Sequence, residues 1–67
     1  MIALQVNGET HTLEAPLNCV QLLERFNLAG KRVAIERNGE IVPRSRHAEE
    51  ILADGDRLEI VVAVGGG

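Results

Sequence analysis

Asp54-Gly55-Asp56-Arg57-Leu58-Glu59-Ile60-Val61-Val62-Ala63-Val64-Gly65-Gly66-Gly67 is the stretch that decides how this chain is read. Asp54-Gly55-Asp56 has turn chemistry, because Asp accepts hydrogen bonds from its own backbone and Gly takes conformations closed to other residues. Arg57 to Val64 is apolar and rich in β-branched residues, which predicts a strand. Three glycines follow it directly. Without Cβ atoms they can thread a backbone where no side chain fits, and fully extended they reach roughly 10 Å. A packed strand that feeds such a segment can carry the carboxylate of Gly67 into another protein's active site. A flexible linker is the weaker reading, since linkers usually carry serine and do not grow out of a strand.

Working backwards, two further strand pairs emerge. Ile2, Leu4 and Val6 alternate with Ala3 and Gln5, and Asn7-Gly8 supplies the two φ > 0 residues of a tight hairpin turn. Glu9 to Leu13 returns as the second strand. Val33-Ala34-Ile35, Asn38-Gly39 and Glu40-Ile41-Val42 repeat the pattern, and Pro43 stops the fourth strand. Between the pairs, Asn18 with Gln21 reads as a capping box opening a helix at Cys19. Val20, Leu23 and Phe26 are its predicted inward stripe, with Leu22 on the flank. Asn27 to Gly30 ends the helix, with Gly30 as the candidate left-handed residue. Ser45 to Leu52 reads as one irregular helical turn. The order is β-β-α-β-β-β, an α+β domain with one helix on a mixed sheet, whose strand order the pattern alone leaves open. The expected core is Ile2, Leu4, Val6, Leu13, Val20, Leu23, Phe26, Ile35, Leu58, Ile60 and Val62.

Composition narrows the function. With 67 residues, 45% hydrophobic and 25% charged, the chain has the makeup of one small globular domain,. Its one aromatic residue, Phe26, and net charge of −3 argue against nucleic acid, which calls for stacking platforms and a basic footprint,. Cys19 is the only cysteine, so no internal disulfide can form, and it reads as a small buried residue rather than a reactive thiol,. No Cys/His cluster suggests a metal. His11 and His47 have no nucleophile placed beside them, and Ser45 does not complete a triad with either. Asp54-Gly55-Asp56 lacks the further ligands of a calcium loop. No apolar run is long enough to span a bilayer, and Met1 to Gln5 lack a signal-peptide pattern; a cytoplasmic protein is expected. Charge is segregated, net −2 over residues 1–30, +3 over 31–46 and −4 over 49–67. The acidic block reads as solvated surface that could also steer docking to a basic partner.

Taken in this order, the residues resemble the ThiS family, the ubiquitin-like β-grasp sulfur carriers of thiamin thiazole biosynthesis. The resemblance covers the whole chain: an Asn-containing hairpin followed by Ile41-Val42-Pro43-Arg44, the Asp54-Gly55-Asp56 turn, and a Gly66-Gly67 ending. Gly65 departs from the pattern, adding a third glycine where many relatives keep a side chain. The resemblance implies strand order 2-1-5-3-4 and a globular domain over 1–64 followed by a glycine tail over 65–67. It implies no permanently bound cofactor and no catalytic side chain. Instead, the Gly67 carboxylate is adenylated with ATP by a ThiF-type adenylating enzyme. Sulfur from a donor such as a cysteine desulfurase converts it to a thiocarboxylate, which a ThiG-type thiazole synthase consumes. Gly65, Gly66 and Val64 would enter the partners. Strand parity places Val61, Ala63 and Ala3 on the face away from the helix, where small apolar residues beside the tail suggest a docking patch. Arg44 fits a partner contact and a structural turn equally well. Rival readings are a carrier for molybdopterin or another sulfur metabolite, a modifier joined through Gly67 to lysines, and an interaction domain whose tail is idle.

Overall fold

Each Asn-Gly pair turns the chain back on itself because Asn tolerates the left-handed region and Gly has no Cβ to clash. In the computed structural model, which describes residues 1–63, Asn7 and Asn38 have φ of 50° and 52°, and Gly8 and Gly39 have φ of 85° and 88°. They close the hairpins β1 (Ile2–Val6) with β2 (Glu9–Leu13) and β3 (Val33–Arg37) with β4 (Glu40–Val42). The helix α1 (Cys19–Arg25) lies between them, and β5 (Arg57–Val62) comes last. The sheet order is β2-β1-β5-β3-β4, the β-grasp arrangement. Strand β5 is central, parallel to β1 and antiparallel to β3.

The predicted capping box is present in full. Gln21 N–H donates to Asn18 Oδ1 at 2.8 Å, and Asn18 N–H donates to Gln21 Oε1 at 2.9 Å. That fixes the helix start, and with it the face that turns inward. Cys19, Leu22 and Leu23 are buried, with Phe26 packed half-buried against them. The positions i, i+3, i+4 and i+7 lie on one side of a helix, so the stripe begins at Cys19. Val20, expected inward, is rotated out and exposed. Asn27, with φ of 60°, breaks the helix before Gly30 takes its own left-handed conformation at 81°.

The core joins Ile2, Leu4, Val6, Leu13, Cys19, Leu22, Leu23, Ile35, Val42, Leu52, Leu58 and Ile60. Cys19 is buried as expected, while Leu22, Val42 and Leu52 were absent from the expected core. Phe26 is only half-buried and Val62 is exposed, both contrary to expectation. Seven helical residues span about 10 Å, too short to roof the end of β5. The segment after Pro43 forms a 3-10 turn at Arg44–Arg46 and then pairs Ile51 with Asn18, which carries Leu52 into the core. Strand β5 runs to Val62; Val64 and the boundary between domain and glycine tail lie outside the described residues. No helix among the described residues is long and apolar enough to cross a membrane.

Candidate functional site at the exit of the last strand

A central strand delivers whatever follows it along a direction set by both neighbours. β5 is held at its start with unusual density. Asp56 accepts from Ala53 N–H at 2.8 Å, from Arg37 Nε at 2.8 Å and from Asn38 Nδ2 at 3.0 Å. Arg37 also donates to Glu50 at 2.8 Å, which Arg46 reaches in turn at 3.0 Å. Burial alone would raise the Asp56 carboxyl, but the Ala53 N–H, Asn38 and Arg37 outweigh it and hold the group below its usual value,.

The two turn asparagines reach β5 as well. Asn38 Oδ1 accepts from Arg57 N–H at 2.9 Å. Asn7 accepts from Ile60 N–H at 2.7 Å and donates to the Ile60 carbonyl at 3.1 Å. Where β1 turns away, the Asn7 side chain thus replaces the missing strand and satisfies backbone groups that would otherwise be bare. The Asn-Gly signal announced turns; it carried no sign that both asparagines also clamp the strand leading to the tail.

The other end of β5 is sparsely held. Val62 stands opposite Val33, and Ala63 N–H donates to the Arg32 carbonyl at 2.9 Å. Val61 is 60% exposed, with exposed Ala34 opposite it. These form the small apolar patch expected on the outer face, joined by Ala63. Ala3 is not part of it. Its carbonyl accepts from Gly55 N–H, six residues before Val61, or about 20 Å back along the strand. Parity placed Ala3 on the right face but could not say which end of β5 it meets, since that depends on the parallel register. Arg44 lies on the helix side, lining an apolar crevice with Val20, Leu23, Val33, Lys31 and His47. Gly65, Gly66, Gly67 and Val64 lie outside the described residues.

The acidic block is committed to the fold only in part. Asp56 and Glu50 are engaged with Arg37, and the Asp54–Asp56 turn is at the far end of β5, whereas exposed Glu59 is in no ion pair among the described residues. The charges flanking the exit are Lys31, Arg32 and Arg44, none in an ion pair among the described residues.

Other candidate groups are committed to the fold. The Cys19 thiol is fully enclosed, and burial first, then Glu50, push its pKa up, away from the reactive thiolate,. His47 is buried and its Nε2–H donates to the Val42 carbonyl at 3.1 Å. His11 packs its ring edge-on against Phe26 at 5.0 Å. Among the described residues no group of three or more His, Cys, Asp or Glu could hold a metal ion. The arrangement presents a strand end and, among the described residues, no paired nucleophile and base.

Comparison with known proteins adds the family context. The ThiS family model matches residues 4–67. The chain is 42% identical over 65 residues to the sulfur carrier protein ThiS of Bacillus subtilis, covering 96% of this chain and 98% of that one. It is 44% identical over 64 residues to the thiazole synthase of Paramagnetospirillum magneticum, and 96% of it aligns there while spanning only 20% of that longer protein. The crystal structure of the thiamine biosynthesis protein ThiS from Geobacter metallireducens superposes with a TM-score of 0.83 at 33% identity, covering 98% of this chain and 100% of that one.

Proposed function

Because this chain belongs to the ThiS family, we propose that it is a sulfur carrier for thiamin thiazole biosynthesis, working as a co-substrate rather than a catalyst. The observation that carries the reading is the end-to-end match to a protein named as a sulfur carrier, over 98% of that protein's length. The thiazole synthase containing a segment 44% identical to this chain supports the synthase as consumer of the sulfur. The structure supports it in kind, since a strand clamped at one end and open at the other suits delivery of a chain terminus.

The chemistry follows from the carboxylate. Its oxygen is a poor leaving group, so the Gly67 carboxylate attacks the α-phosphorus of ATP on a ThiF-type adenylating enzyme, forming an acyl adenylate and releasing pyrophosphate. A persulfide sulfur from a donor such as a cysteine desulfurase displaces AMP, and reductive cleavage of the resulting acyl disulfide by a thiol leaves the thiocarboxylate. ATP is thus the activating enzyme's substrate, and this chain holds no cofactor of its own. Gly65 and Gly66 give the channel no Cβ to exclude. Val61 and Ala63 meet the partners on the outer face, and Arg44 with Lys31 meets them on the helix side. The site of action is the cytoplasm.

Incubation with ATP, the activating enzyme and a sulfur donor, followed by intact-mass analysis, tests this. The expected product has one oxygen exchanged for sulfur. A residue added after Gly67 moves the reacting carbon by roughly 3.5 Å, outside a near-attack geometry, so that chain should stay unmodified. Equal sulfur gain by the extended chain would overturn the carrier reading. Linkage of the native chain to lysines of other proteins would replace it with the modifier reading.

A further inference from the structure

The outer face of the sheet carries a charge arrangement around the apolar patch at Val61. In the register of β3 with β5, Glu36 stands opposite Glu59 and Ala34 opposite Val61. Alternation puts these four on the side away from α1. The hydrogen bond from Ala63 to Arg32 extends the ladder by a row, so Arg32 follows Ala34 on the same side. Read toward the exit, the face presents two carboxylates, then two small apolar side chains, then a guanidinium beside Ala63.

Like charges directly opposite on neighbouring strands destabilise a sheet. Among the described residues Glu36, Glu59 and Arg32 are in no ion pair, and neither is Arg57, one row before Glu59. On the helix side the contrary holds, for Arg37 is shared between Glu50 and Asp56. Arg37, beneath the sheet, is matched within the chain; Glu36, Glu59, Arg57 and Arg32 on the outer face are not, among the described residues.

The strip is complementary to itself. We infer that the outer face is a docking surface for a second copy of this chain, related by a twofold axis lying between the two sheets and crossing the strands at Ala34 and Val61. That operation reverses the strand direction. It sets Glu36 of each copy over Arg32 of the other, with Glu59 beside the pair, and Val61 over Val61. Such an interface is isologous and closes at two copies. Ala34 and Val61 are small enough for the sheets to approach to about 10 Å, the usual face-to-face spacing. The patch is small against the roughly 800 Å² per partner of a stable complex, so association is weak and reversible. It covers Val61, so a paired copy is shielded from the enzymes that dock there.

Sedimentation equilibrium of the full chain, from micromolar to millimolar concentration and without ATP or enzymes, tests this independently of the carrier reading. The mean mass should rise toward two chains. Val61→Asp, Arg32→Glu and Glu36→Arg should each hold it at one chain. Mixing Arg32→Glu with Glu36→Arg should restore association, because each then meets its opposite charge only in the other. Misfolding of either variant could not produce that rescue. A single-chain mass at millimolar concentration, association unaffected by Val61→Asp, or no rescue on mixing would overturn the inference.

Discussion

The two ends of β5 are built on opposite terms. At the Asp56 end, Arg37, Asn38 and Ala53 converge on one carboxylate, and Arg37 reaches Glu50 as well. At the Val62 end, apolar side chains face solvent and Lys31, Arg32 and Arg44 stand without ion pairs among the described residues. One end specifies the fold, and the other is left unsatisfied for contacts outside it. The difference teaches where to look for contacts with other molecules: at the end the fold does not finish.

Substitutions at the two ends should therefore separate stability from activity. The largest loss of stability is expected from Asp56→Ala, which leaves Arg37 partly buried without one of its two partners. Removing one member of a fully buried pair costs about 3–5 kcal/mol; Arg37 is part-exposed and keeps Glu50, so the low end, about 3 kcal/mol, is expected, still a large share of what a small domain has. A chemical denaturation midpoint close to that of the native chain would mean the cluster is ornamental. The same group gives a pH signature. Its carboxyl is held below the ordinary 3.8 in the folded chain, so its contribution is present above that value and is lost as pH falls through the lower folded value. Thermal melts should drop more steeply on acidification in the native chain than in Asp56→Asn.

Phe26→Ala should come next, at about 2 kcal/mol, less than the 3–5 of a fully enclosed ring because Phe26 is half-buried,. That corresponds to a melting temperature roughly 8–16 °C lower for a domain of this size. A loss as large as that of Leu22→Ala, a fully buried helix residue, would show that the ring is better covered than the structure indicates. The smallest effect on stability is expected from Val61→Asp, within about 0.5 kcal/mol, as for surface substitutions generally. Yet this variant should raise the KM for carrier in ATP–pyrophosphate exchange on the activating enzyme. An unchanged KM would remove the exit end from the docking surface and with it the contrast between the two ends of β5.

The helix shows why part of the core was misread from sequence. Val20, Leu23 and Phe26 fit a helical stripe by themselves, but Cys19, the first residue after the cap, begins the true stripe with Leu22 and Leu23. Leu52 was missed for a different reason. It sits in an irregular segment with no period of its own, and its burial depends on Asn18 pairing with Ile51, far away in sequence.

By itself the sequence determined the five strands and the helix, both hairpin turns, the capping box and the family, because each rests on local chemistry: φ > 0 at Asn-Gly, a side chain capping its own helix, alternation along a strand, a glycine run after it. Only the tertiary structure decided what meets β5. The parallel register that moves Ala3 to the far end, the asparagines that clamp Arg57 and Ile60, and the opposition of Glu36 to Glu59 join residues 19 to 53 positions apart. Contacts of that separation are set by loop closure and packing of the whole domain, and no short window of sequence encodes them.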